Sequence, residues 1–177
     1  MFAALTNFNK LSAVCLWLLL SLSLPTLALP EDSQQPIKIS ADSAIRDEKQ
    51  GTTIYQGNVD MTQGTLRIQA DKITIYANAN TIETIIAIGQ PARFRQQPEP
   101  DKGDVVANAN TIEYRVAQEI MTLTSNAAIN QDGASISGDS IKYDIAAGRI
   151  EAGKSESGTG DSGRVNVVLP PTAPQPE

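Results

Sequence analysis

The sequence predicts an all-β fold built as an array of repeated strand units, and three observations carry that prediction. The first is a recurring phrase: Ala70-Asp71-Lys72-Ile73-Thr74-Ile75, Ala109-Asn110-Thr111-Ile112-Glu113-Tyr114 and Gly138-Asp139-Ser140-Ile141-Lys142-Tyr143, with a fainter copy at Ala41-Asp42-Ser43-Ala44-Ile45. Its acidic or amide position falls at 42, 71, 110 and 139, so the gaps are 29, 39 and 29 residues, the longer one holding the polar, proline-bearing stretch 96–104. A period of this size marks stacked supersecondary units that bury their apolar faces only against neighbours, and such arrays usually bind rather than catalyse. The second is period-two alternation of apolar and polar residues between the phrases, because successive strand side chains point to opposite faces. The third is punctuation by glycine and small polar residues with no sustained 3.6-residue period.

Residues 1–28 read as a secretory targeting segment. Lys10 supplies positive charge, Leu11 to Leu24 is apolar, and Pro25-Thr26-Leu27-Ala28 offers small residues before a cut after Ala28. A stretch of 14 residues falls short of the roughly 20 needed to span a bilayer, so export is the expectation rather than an anchor. Residues 29–35 are expected to be flexible, 36–169 to form the folded domain, and 170–177 to be a disordered proline-rich tail.

Within the domain, alternation at Ile37 and Ile39 opens the first strand. It continues at Val59 and Met61, at Leu66, Ile68 and Ala70, at Ile73 and Ile75, and at Met121 and Leu123. Gly51, Gly57-Asn58, Gln63-Gly64, Gly89, Gly138 and Gly148 are expected at turns, and Asp132-Gly133 between two short runs predicts a hairpin. Ala77 to Ala79 and Ala146-Ala147 sit beside Asn and Gly and read as turns rather than helix. After a flexible loop over 153–163, Arg164 to Leu169 alternates again and predicts a final edge strand.

Composition removes most enzyme classes. The chain has no histidine, and its one cysteine, Cys15, lies in the targeting segment, so 29–177 offers no disulfide, thiol nucleophile, zinc cluster or imidazole base. Setting Lys10 aside leaves 13 basic against 20 acidic residues, a balance of −7 that disfavours duplex nucleic acid. No phosphate-cradling loop is present, so no cofactor is expected and any energy must come from a partner.

Gln35-Pro36-Ile37-Lys38-Ile39, Gly57-Asn58-Val59 running into Thr62-Gln63-Gly64-Thr65-Leu66, and Ala70-Asp71-Lys72 occur in that order. Gly89-Gln90-Pro91-Ala92 with Phe94, Leu123-Thr124-Ser125-Asn126-Ala127, Gly138-Asp139-Ser140-Ile141 with Tyr143, and Arg164-Val165 follow. On this ordered set, over about residues 35 to 170, the chain resembles the LptA/OstA-like family of periplasmic lipopolysaccharide transport proteins. Ser125 departs from it, standing where the family has glycine. The resemblance implies an antiparallel β-jellyroll, open along one side, whose interior accepts the acyl chains of lipopolysaccharide. It also implies head-to-tail stacking between an inner-membrane-anchored LptC-like protein and the N-terminal domain of an outer-membrane LptD-like translocon, bridging the two membranes.

Alternation and the family-matched positions together nominate Ile37, Ile39, Phe94, Tyr114 and Val116 as lining for a lipid-binding groove. An inward strand position serves core packing equally well, so each keeps that second reading. Ile37 and Ile39 at one end, and Val165 and Val167 at the other, lie on lightly guarded edges where a second chain could add a strand. Such a head-to-tail contact does not close on itself and extends into filaments. The row Asp42, Asp71 and Asp139 could be imagined as catalytic or calcium-binding, but Asn110 fills the third place. A side chain that hydrogen-bonds its own backbone at a strand entry explains Asp and Asn alike. Two other classes stay open: a scaffold of the same fold without lipid binding, and a secreted β-repeat polysaccharide hydrolase.

Overall fold

The computed structural model describes residues 32–79, 81–99, 102–154 and 164–171. The expected targeting segment, most of the 153–163 loop and the tail beyond 171 lie outside them. After a single 3-10 turn at Asp32–Gln34, ten strands follow: β1 Lys38–Ser40, β2 Ser43–Asp47, β3 Thr52–Gln63, β4 Leu66–Asn78, β5 Thr81–Gln96, β6 Val105–Arg115, β7 Ile120–Gln131, β8 Ala134–Asp144, β9 Arg149–Gly153 and β10 Asn166–Val168. All pairings are antiparallel, in the order β1-β3-β4-β5-β6-β7-β8-β10, with β2 also on β3 and β9 also on β8.

The long strands are not straight. Hydrogen-bonded register breaks between Gln56 and Val59, Gln69 and Lys72, Ile88 and Ala92, Asn108 and Thr111, and Thr124 and Ala127, which draws a seam across the whole sheet. One ring contact shows what the seam does. Phe94 pairs with Ala107 across β5 and β6, and Tyr114 lies seven residues further along β6, about 23 Å away in a straight strand. Yet the Phe94 and Tyr114 rings meet edge to face at 5.8 Å. The sheet therefore doubles over at the seam into two facing layers, a β-jellyroll. The first layer holds β1, β10 and the halves 59–63, 66–69, 92–96, 105–109, 127–131 and 134–138. The second holds β2, β9 and the halves 52–56, 72–78, 81–88, 111–115, 120–124 and 140–144.

This corrects the punctuation read from sequence. Gly51, Gly64, Asp132-Gly133 and Gly148 do lie in turns, but Gly57-Asn58, Gly89 and Gly138 lie within continuous strands, at or beside the seam. The repeated Asp71, Asn110 and Asp139 are there too, at mid-strand rather than at strand entries. A β-bulge needs the same backbone permissiveness as a turn, which is why the two look alike in sequence. Gly57, Asn58, Ser125 and Asn126 all have positive φ, from 44° to 81°. The amide of Asn58 donates to Asp42 Oδ2 at 3.3 Å, and that of Asn126 to Asn110 Oδ1 at 3.4 Å, so seam residues of one strand bond those of another.

Between the layers lies the core. Met61, Ile68, Ile73, Phe94, Ile112, Met121, Leu123 and Ile141 are all essentially inaccessible to solvent. Burying such side chains contributes about 1.5–3 kcal/mol each, and the alternation of buried and exposed positions along each half-strand is the physical origin of the sequence pattern.

Candidate functional site

The margins of the two layers opposite the seam form the lips of a mouth. At the β1 end they stand apart around a cavity of about 570 Å³. Ile37 and Ile39 form its first-layer wall; Thr53, Tyr55, Ile75, Ala77 and Ile82 form the second-layer wall, with Arg46 and Glu48 at the rim. The opening follows from strand length: β1 has three residues and β2 five, all of the latter exposed, so neither fills the space that longer strands fill elsewhere. Gly51 shapes the rim. Its φ is +62°, Ala77 donates its N–H to the Gly51 carbonyl at 2.8 Å, and a Cβ there would overlap the carbonyl of Ala77. A smaller cavity of about 310 Å³ lies near the other end, between Pro98, Glu99 and Lys102 on one lip and Tyr143, Ile145 and Ile150 on the other.

The sequence-nominated groove residues divide between two environments. Ile37 and Ile39 are half-buried on the cleft wall. Phe94 and Tyr114 are buried in the packed middle, 1% and 7% exposed, and Val116 is half-buried against the same core just beyond the end of β6. The Tyr114 hydroxyl titrates near 12, pushed up by burial first and then by the negative charges of Glu119 and Asp32. Tyr143, beside the smaller cavity, is also pushed up by burial. The nominated edge residues Ile39 and Val167 sit on the two end strands of the first layer, with Ile37 and Val165 immediately before them. Val165 and Val167 are 40% and 53% exposed.

Tyr55, Ile75 and Ile82 were not singled out as lining, although Ile75 was read as strand. Their signal is positional, an apolar residue within a few places of a lip turn, and it has meaning only once the mouth is located. Asp32 was missed altogether, because residues 29–35 read as loose. Asp32 Oδ1 accepts the Thr65 N–H at 2.7 Å, and Oδ2 accepts the Thr65 hydroxyl at 2.6 Å and the Gln96 amide at 3.1 Å. The basic residues Arg67, Arg95 and Arg115 face outward and pair with Asp60, Asp104 and Glu113. Asp60 is held below its ordinary value chiefly by the hydrogen bond from Arg67. The 96–104 loop, the source of the longer repeat gap, is tied to the β7–β8 turn by the Gly103 N–H donating to Asp132 Oδ1 at 3.0 Å.

A doubled-over antiparallel sheet with an apolar mouth is an architecture that several protein families could share, and the comparisons decide among them. The family described as "LptA/(LptD N-terminal domain) LPS transport protein" matches residues 38–149. The chain belongs to this family. Among LptA-family relatives, it is 38% identical over 119 residues to the lipopolysaccharide export system protein LptH of Pseudomonas aeruginosa, covering 67% of this chain and 68% of that one. It is 34% identical over 140 residues to the lipopolysaccharide export system protein LptA of Escherichia coli K12, covering 78% and 75%. The crystal structure of LptH, described as the LptA-homologous periplasmic component of the lipopolysaccharide transport device of Pseudomonas aeruginosa, superposes with a TM-score of 0.75 at 35% identity. It covers 80% of this chain and all of that one. These LptA-family relatives are transport proteins, not enzymes.

Proposed function

We propose that this chain is a periplasmic lipopolysaccharide-binding bridge that carries lipopolysaccharide from the inner to the outer membrane through the apolar space between its layers, without catalysis of its own. The observation that carries the reading is the cleft of about 570 Å³ walled by Ile37, Ile39, Tyr55, Ile75 and Ile82. That volume lies within the range of about 300–1,000 Å³ typical of ligand pockets. Each acyl methylene moved from water into it contributes about 0.8 kcal/mol, so a chain of a dozen carbons binds without any specific polar site. Membership of a lipopolysaccharide transport family supports the choice of ligand.

The finer parts of the proposal are export with cleavage near Ala28, contact with an LptC-like protein and an LptD-like N-terminal domain, and head-to-tail assembly. The end strands β1 and β10 support the last, since among the described residues each pairs on one side alone, with β3 or β8, and offers backbone groups for strand addition. A scaffold reading draws on one observation, the packed middle of the fold. Mass spectrometry of the purified protein with bound lipopolysaccharide, alongside sizing of its assemblies, separates the two: filaments without retained lipid mean a scaffold. Photocrosslinking from position 39 to labelled lipopolysaccharide tests the cleft itself, and labelling no stronger than from an outward-facing position such as Arg67 overturns it.

A further inference from the structure

We propose that Arg46 is the headgroup anchor of the cleft: its guanidinium takes a phosphate monoester of the amphiphile whose acyl chain lies between Ile37 and Ile39 on one wall and Tyr55 and Ile75 on the other. The inference deepens the lipid-binding reading and rests on it. It starts from strand register. Arg46 on β2 pairs with Thr53 on β3, and the same row continues across the second layer through Ile75, Ile85, Tyr114, Met121 and Tyr143, all of them buried. That row faces the interlayer space. Among the paired positions of the described strands, Arg46 alone places a charged side chain in an inward row; Arg67, Arg95, Glu113 and Lys142 stand in rows that face solvent. Accordingly, Arg46 and Thr53 both line the cleft. An inward charge on an edge strand can also serve only to discourage strand addition, so the surroundings of the guanidinium have to decide between the two roles.

Those surroundings leave it available. Arg67 and Arg95 each commit both Nε and Nη2 to a carboxylate, on Asp60 and Asp104, and Arg115 and Arg149 pair at 2.9 and 3.0 Å with Glu113 and Glu151. Arg46 meets Glu48 only through Nε, at 3.8 Å, which is too long for a hydrogen bond. Their side chains are 66% and 83% exposed, so the pair contributes little and a phosphate can displace it. A guanidinium fork accepts a phosphate through two parallel N–H···O bonds, a stronger arrangement than one long contact with a solvated carboxylate. Space for the group exists as well, because Gly51, Ala77 and Ala79 line the cleft with no side chain beyond Cβ. The smaller cavity at the far end differs on this point. Its cation, Lys102, is held by Glu99 at 2.7 Å, and Glu99 and Asp132 are both part of its lining. An anionic head is thus favoured at the β1 end, with its chain directed inward past Ile37 and Ile39.

The test compares binding of two probes by the purified protein: lipid A carrying its phosphates, and the same lipid A with the phosphates removed. Arg46→Gln is expected to weaken binding of the phosphorylated probe about tenfold and that of the dephosphorylated probe less than about twofold, since only the charge-assisted bonds are lost. Glu48→Gln removes the competing carboxylate and should tighten the phosphorylated probe alone, by about twofold. Millimolar inorganic phosphate should leave the lipid in place, because it brings no chain into the cleft. Equal losses for both probes in Arg46→Gln, or none for either, overturn the anchor while leaving the lipid reading intact. So does aggregation of Arg46→Gln with its discrimination between probes unchanged, which assigns the residue to edge protection. Displacement by inorganic phosphate overturns the headgroup assignment in favour of the free ion. Binding of neither probe by the parent protein overturns the lipid reading, and the anchor with it.

Discussion

The two ends of the interlayer space differ in how they are filled, although the same alternating pattern builds both. From β4 to β8, each long strand contributes inward residues to both layers, and Ile68, Ile73, Phe94, Ile112, Leu123 and Ile141 are buried between them, with the smaller cavity of about 310 Å³ beside Tyr143 at the β8 end. Around β1 to β3, the end strands are short and, among the described residues, have a neighbour on one side only, so Ile37, Ile39 and Tyr55 are half-buried and a cleft remains. The lesson is that an inward apolar residue becomes core or binding wall according to whether its neighbours reach across, and nothing about the residue type itself decides it.

The sharpest way to break this comparison is at Phe94. In a packed middle, Phe94→Ala should cost about 3–5 kcal/mol in urea unfolding, and Phe94→Glu should prevent folding. A loss below about 1 kcal/mol for the alanine would mean the middle is already open. Next in size is Ile37→Asp on the cleft wall, for which lipopolysaccharide retention should drop at least tenfold, about 1.4 kcal/mol, while the thermal midpoint moves by only a few degrees. Matching losses in both assays would make Ile37 ordinary core.

The seam offers a smaller effect of opposite sign. Ser125 holds φ at 63°, a conformation that costs a residue with a Cβ, so Ser125→Gly should raise stability by about 1 kcal/mol. At Gly57 the same logic runs the other way: its φ is +81° and a Cβ there would overlap Asp42, so Gly57→Ala should destabilise. The mildest effect at ordinary pH belongs to Tyr114. Its folded value of about 12 exceeds the unfolded value near 10, so its contribution is complete below pH 10 and is lost as pH rises toward 12. Comparing unfolding of the parent with Tyr114→Phe at pH 9 and pH 11.5 isolates it. A gap between the two proteins that does not change with pH would place the hydroxyl in solvent.

Much of the fold was legible because strand alternation and the spacing of permissive residues are local properties of the chain. The repeat of Asp42, Asp71, Asn110 and Asp139 marks the seam as clearly in sequence as in space. Its meaning was misjudged, since a bulge and a turn demand the same backbone freedom and differ only in whether the partner strand continues. Ile37 and Ile39 were nominated from the opening strand and lie on the cleft wall, whereas Phe94 and Tyr114, nominated by the same alternation and family-matched positions, are packed against each other. Asp32 gave no signal, because its partners Thr65 and Gln96 are 33 and 64 residues away.

By itself, then, the sequence determined the class of fold, the spacing of the permissive positions, the absence of histidine and thiol chemistry from 29–177, and the family resemblance. These depend on backbone preference, side-chain period and composition, each readable within a few residues. Only the tertiary structure decided where the two layers touch and where they part. That outcome depends on how far opposing strands extend and which side chains meet across the doubled sheet, and such distances arise only when the seam has closed.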